Sequence, residues 1–194
     1  MIFSKKDIQE VLPADVTGRS VAHPKRWLVA LVRISHEKKT SERLSKMGIE
    51  NFLPVQQEVH QWSDRRKVVE RVLLPMMIFV HVDMYEQKEV LTLGSISRYM
   101  VLRGESTPAV IPDEQMHRFK FMLDYSDEAI NMSTTPLSPG TKIKVIKGPL
   151  SGLQGELVTV NGKSKVAVRL TMLGCAFVDL SLIHISEPTR LGMI

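Results

Sequence analysis

Residues 26–48, RWLVALVRISHEKKTSERLSKMG, change hydrophobic period in mid-stretch, and that change decides the fold class of the first two thirds of the chain. The first nine residues are dominated by Val, Leu and Ile and read as a buried strand. Helical spacing follows: Thr40, Leu44 and Met47 fall at i, i+4 and i+7, Ser35 stands where an N-cap is expected, and Gly48 stands where a helix would stop. A strand that feeds directly into an amphipathic helix calls for a sheet with a helix laid against it.

Outward from this unit the same logic repeats. The runs IENFLPVQQEVHQW (49–62) and KVVERVLLPMMIFVHV (67–82) flank the polar Ser63-Asp64-Arg65-Arg66 and predict two long antiparallel strands joined by a basic turn. Asp83, with Glu86 three residues on, predicts a capped short helix. RYMVLRG (98–104) reads as a further strand. Pro112, Asp113 and Glu114 open a second full helix with Met116, Phe119 and Leu123 along one face. The fold expected for residues 26–130 is therefore α+β, an antiparallel sheet flanked by helices.

A seam rich in Ser, Thr, Pro and Gly, NMSTTPLSPG (131–140), separates this region from one with a period of two. Ile143 and Val145 alternate with lysines, and Val166, Val168 and Leu170 alternate with Lys165, Ala167 and Arg169. Asn161-Gly162 between such runs is a strong signal for a type I′ hairpin. A small all-β barrel is expected over residues 140–182, with a core of a few aliphatics and modest stability. The organisation predicted is a leader (1–25), the mixed domain (26–130), a linker (131–139), the barrel (140–182) and a closing segment (183–194) that ends the β pattern abruptly and reads as non-native sequence.

Composition limits the function. The chain of 194 residues carries one cysteine, Cys175, which excludes an internal disulfide and a cysteine-cluster metal site and suggests the reducing cytoplasm. Its best apolar run, RVLLPMMIFVHV (71–82), is too short to span a membrane and is interrupted by Pro75 and His81. The net charge of +5 leans toward acidic partners.

The glycines of KGPLSGLQG (147–155) fail as phosphate binders. Gly162-Lys163-Ser164 ends like a P-loop, but Leu157 stands where its first glycine should be. Gly148, Gly152 and Gly155 also lack the dinucleotide spacing, so they read as turn and close-approach positions. The histidines form no metal-binding pattern, and Cys175 and the serines lack a nucleophile setting, so no catalytic, metal or cofactor site is expected. What remains is basic surface: Lys39, Arg43 and Lys46 form a stripe a quarter turn from the apolar face of the first helix, with Arg33 and His36 leading into it.

Taken in order, RWLVALVRISHEKKTSERLSKMGIENFLPV, RVLLPMMIFVHVD and YMVLRGESTPAVIPDEQM resemble the amino-terminal (NGN) domain of NusG-type transcription elongation factors. SPGTKIKVIKGPLSGLQGELVTVNGKSKVAVRL resembles the KOW motif of their SH3-like barrel. The wording LLPMMIFVHVD and LTMLGCAFVDLSL is most similar to the UpxY-type antiterminators of capsular polysaccharide operons.

The resemblance implies binding rather than catalysis. Leu53, Pro54, Met77 and Phe79 would face the β′ clamp helices of RNA polymerase, another edge would meet the β gate loop, and Arg33, His36, Lys39, Arg43 and Arg98 would contact non-template DNA. The barrel would recruit ribosomal protein S10 or Rho. The aromatic residue usual in the family at position 77 is replaced by methionine. Two alternatives stand beside this reading: a ribosome-associated KOW protein binding RNA through Lys142, Lys144, Lys147 and Lys163, and an enzyme of polysaccharide synthesis, for which the sequence offers no constellation.

Overall fold

A computed structural model describes residues 24–61, 66–126, 128–133, 137–170, 173–179 and 184–186. The expected leader (but for its last two residues), the Ser63-Asp64-Arg65 tip and most of the closing segment lie outside the described residues. In chain order the elements are β1 (Arg26–Val32), α1 (Glu37–Lys46), β2 (Glu50–Phe52), β3 (Val55–Gln61), β4 (Arg66–Val72), β5 (Met77–Val82), α2 (Met84–Leu91), β6 (Ile96–Tyr99), β7 (Val110–Ile111) and α3 (Asp113–Tyr125), followed by β8 (Asn131–Ser133), β9 (Thr141–Lys147), β10 (Gln154–Val160), β11 (Lys163–Leu170), β12 (Gly174–Asp179) and β13 (His184–Ser186).

The strand followed by a helix appears as expected, and β1 lies inside an antiparallel sheet of order β2-β5-β1-β6, with β7 also paired to β1. Alternation along β1 divides the core. Leu28, Ala30 and Val32 join Leu44 of α1, Val90 of α2, and Ile78, Val80 and Val82 of β5 on one face. Trp27 and Val29 join Phe79 and the buried Met116, Phe119 and Met122 of α3 on the other. On α3 the third fully buried position is Met122, while the expected Leu123 is only partly buried against the cluster, one position further round the helix.

The two long strands expected over 49–82 are each split. Pro54 separates β2 from β3, and the segment containing Pro75 separates β4 from β5, because proline has no N–H to give a ladder. The outer halves, β3 and β4, pair only with each other, and this ribbon leaves the main sheet. Gln56 in the ribbon uses both ends of its side-chain amide: Nε2 donates to the Glu128 carbonyl at 2.8 Å and Oε1 accepts from the Ile130 N–H at 2.9 Å. It thereby holds the chain that leaves α3 as another strand would.

The region after the seam is a six-stranded antiparallel sheet of order β13-β9-β10-β11-β12-β8. Two of its strands lie outside the expected boundaries. Asn131–Ser133, placed in the linker, pairs with β12, and His184–Ser186, placed in the tail, pairs with β9. Asn161 and Gly162 adopt φ of 53° and 74°, as a type I′ corner requires. This sheet has a small cluster of its own, Val158, Ala167, Cys175 and Phe177, and shares a larger one with the first domain. One buried cluster runs without a break from Trp27, Val29 and Phe79 through α3 to Ile143, Val145, Val166, Val168 and Leu170. The layers are thus α1 and α2, the first sheet, α3, and the second sheet, with α3 apolar toward both sheets.

Candidate nucleic-acid and protein interfaces

Helix α1 begins without the expected cap. Ser35 sits in left-handed backbone at φ 63°, and His36 is the N-cap residue without a side-chain capping bond. The reason is a tight turn, closed by the His36 N–H donating to the Arg33 carbonyl at 3.1 Å, which uses Ser35 as its corner and takes it out of cap geometry. His36 Nδ1–H donates to the Ile34 carbonyl at 2.9 Å, since a carbonyl can only accept, and this braces the turn. The expected cap of α2 does form: Asp83 accepts from the Tyr85 and Glu86 N–H groups at 2.8 Å each, and Glu86 accepts from the Asp83 N–H at 3.1 Å.

Thr40 and Leu44 face inward, so the helix pitch of about 100° per residue puts His36, Lys39, Arg43 and Lys46 on one outward arc of about 80°. All four are exposed, as are Arg33 at the end of β1 and Arg98 on the edge strand β6. Arg98 sits opposite Leu31 in the β1–β6 register. Among the described residues, Arg33, Lys39, Arg43, Lys46 and Arg98 have no carboxylate within ion-pair distance, whereas their neighbour Lys38 holds Glu70 at 2.6 Å. The acid in the first turn of α1, Glu37, does not neutralise the arc. It is buried and accepts the Met76 N–H at 2.9 Å. The positive charge of this surface is therefore not neutralised among the described residues.

The four residues expected to face a protein partner do not form one open patch. Phe79 is wholly buried, with ring centroids 5.9 Å from Phe119 and 6.1 Å from Phe52. Pro54 is buried as well, Leu53 packs against the opposite face of the sheet beside the α1 cluster, and Met77 is half-buried. Next to Met77, Met76 is exposed in left-handed backbone at φ 62°.

Gly148 and Gly152, both at φ 95°, shape the turn between β9 and β10, where the Gly152 N–H donates to the Val145 carbonyl at 2.8 Å. Gly155 has a different duty: a Cβ there would lie 2.7 Å from the Ala167 carbonyl oxygen. On this sheet Arg169 binds Glu156 through Nη2 at 2.8 Å, and that contact holds the Glu156 carboxyl below the usual range against the opposing effect of burial. Burial pushes the Cys175 thiol up, which disfavours the reactive thiolate. Lys142, Lys144, Lys147 and Lys163 are exposed along the β9–β10–β11 side. Among the described residues no group of three or more His, Cys, Asp or Glu could hold a metal ion, and no helix is long and apolar enough to cross a membrane.

A family model described as "Transcription termination factor nusG" matches residues 25–120, just under half of the chain. No curated protein matches in sequence. Among solved structures the chain is similar to Thermotoga maritima NusG, solved for its domain interaction, at 16% identity, 82% of this chain, 96% of that chain and a TM-score of 0.45. It is also similar to the MjSpt4:Spt5 complex in conformation A, at 11% identity, 83% and 98% coverage and a TM-score of 0.29, and in conformation B, at 13% identity, 84% and 97% coverage and a TM-score of 0.28.

Proposed function

We propose that the chain is a NusG-type transcription elongation and antitermination factor, a binding protein that engages the RNA polymerase clamp and non-template DNA to suppress pausing and termination. The observation that carries this reading is the family match over residues 25–120, the span that bears the unpaired cations of α1 and β6. Arg33, His36, Lys39, Arg43 and Arg98 contact DNA phosphates, which positions the protein without reading sequence. Met77, whose side chain keeps some solvent access, makes the polymerase contact, and Phe79 supports the strand from beneath.

The six-stranded sheet serves as a KOW-type module for ribosomal protein S10 or Rho, and the polymerase gate loop meets another edge of the first domain. The likeness of LLPMMIFVHVD and LTMLGCAFVDLSL to UpxY-type proteins supports work in a polysaccharide operon, and the single cysteine supports the cytoplasm. A ribosomal, RNA-binding reading draws support from the exposed lysines of the second sheet alone.

Retention of core RNA polymerase by the immobilised chain, compared with Met77→Glu, tests the main reading. Retention that is lost in the variant, with read-through of a terminator on the operon leader, is the expected result. RNA binding without polymerase retention would favour the ribosomal reading instead.

A further inference from the structure

A cavity of about 430 Å³ opens where α3 meets the second sheet, lined by Arg118 of the helix and by Lys142, Lys144, Glu156 and Arg169 of three adjacent strands. Its volume lies within the range of small-molecule sites, which favour such junctions. The strands bring the cations together. In the β9–β10 register Lys144 stands opposite Gln154 and Lys142 opposite Glu156, and in the β10–β11 register Glu156 stands opposite Ala167. Alternation therefore puts both lysines on the face that carries Glu156 and Arg169. From the helix, Arg118 Nη2 reaches the same row, where it donates to Gln154 Oε1 at 3.2 Å while also holding Glu114.

The charges in this cleft are unequally matched. Among the described residues, Glu156 is the only carboxylate in the lining, against four cations. It is already engaged: Arg169 donates to it through Nη2 at 2.8 Å and through Nε at 3.2 Å. Lys144 has no carboxylate within ion-pair distance among the described residues, and Lys142 has only the occupied Glu156 across from it. Arg118 uses Nη2 alone for Glu114 and Gln154. Two ammonium groups and the remaining edge of a guanidinium thus converge from two distant parts of the chain. The helix walls off one side of their row, which suits a small molecule and obstructs a nucleic-acid strand laid across the sheet.

We propose that this cleft binds a small anion carrying a pyrophosphate group, with Lys142 and Lys144 on its two phosphates and Arg118 closing over it from α3. Lysine serves phosphate as a point charge, and the planar guanidinium adds paired N–H donors. Two positions apart on one strand, roughly 7 Å, the lysines match two linked phosphates better than one. Because Arg118 belongs to α3 and the lysines to β9, the bound anion ties the second sheet to the helix and stabilises the folded chain by mass action. The site uses no residue of α1, β5 or β6 and so stands apart from the DNA and polymerase contacts proposed above.

The test is isothermal titration of the full chain with inorganic pyrophosphate and with adenosine diphosphate, adenosine serving as the control without phosphate. Both phosphate compounds should bind saturably and adenosine should not; tighter binding of adenosine diphosphate would point to a nucleotide as the source of the group, and equal or weaker binding to free pyrophosphate. Lys144→Gln and Arg118→Gln, from the two sides of the cleft, should each raise the Kd about tenfold. Lys142→Gln, at an exposed side chain, should do the same and covers the case in which Arg118→Gln fails to fold. Lys163→Gln, exposed on the same sheet but outside the cleft, should leave the Kd unchanged. No saturable binding of either phosphate compound would overturn the site. Equal weakening by Lys163→Gln, with tighter binding to an RNA oligonucleotide, would overturn it in favour of RNA.

Discussion

Phe119 is the residue on which the layered arrangement can be tested most sharply. It is wholly buried in the middle of α3, and its ring lies 5.9 Å from that of Phe79 and 6.0 Å from that of Phe52. The cluster it belongs to continues into Val166, Val168 and Leu170 of the second sheet. Phe119→Ala removes the ring's transfer free energy and opens a cavity that backbone on both sides can close only in part, a loss of about 4 kcal/mol. The two aromatic contacts fall within that figure because their energies are not additive with it. With a urea dependence of about 2 kcal/mol per molar for a chain of this size, the midpoint should fall by about 2 M.

The assay follows both sheets at once: Trp27 fluorescence in a Trp62→Phe background reports the first, and the reaction of buried Cys175 with a thiol reagent reports the second. In wild type the two signals should move together, and in Phe119→Ala both should move to lower urea. If Trp27 shifts while Cys175 protection stays where it was, the sheets are independent and the continuous core does not act as one unit.

Further outcomes follow from single contacts. Gln56→Ala leaves the buried strand-like backbone around Ile130 without its partner and should cost about 1–3 kcal/mol in chemical denaturation, more than Gln57→Ala on the exposed side of the same strand. Gly155→Ala drives a Cβ to 2.7 Å from backbone oxygen and should cost about 1–3 kcal/mol, whereas Gly152→Ala meets no atom within 4 Å and should cost about 1–2 kcal/mol through its φ of 95° alone. Asp83→Ala removes both capping bonds of α2 and should lower stability by about 1 kcal/mol, read as a fall in Tm. The Glu156 carboxyl is depressed by Arg169 below its ordinary value of 4.5, so its stabilising contribution is full above that pH and is lost as pH falls through the lower folded value. Glu156→Gln should therefore narrow the gap in Tm between about pH 7 and about pH 3.5, and an unchanged gap would refute the assignment.

Much of this was readable from local pattern. The change of period after Ile34, the Asp83–Glu86 cap, the Asn161-Gly162 corner and the outward arc of His36, Lys39, Arg43 and Lys46 each depend on residues within one turn or one strand of each other, so spacing determines them. Ser35 was misread because the sequence signals for a cap and for a turn corner overlap, and only the bond from His36 back to Arg33 separates them. Ile34 reads as core from its place in an apolar run, whereas Met76 is exposed in left-handed backbone whose N–H is held by the Glu37 side chain, a contact distant in sequence that no local pattern encodes.

By itself the sequence determined the main strands and helices, which face of α1 is charged, and the Asn161-Gly162 corner, since all of these follow from the preferences of near neighbours. The tertiary structure decided what no local preference encodes: that Pro54 and the segment around Pro75 divert β3 and β4 out of the main sheet, that residues 131–133 and 184–186 join the second sheet, and that Phe79 lies under Phe119 instead of at the surface. The reason is that α3 is apolar toward two sheets. A helix packed between two sheets must be covered twice, and strands distant in sequence, β9 and β11, supply the second cover.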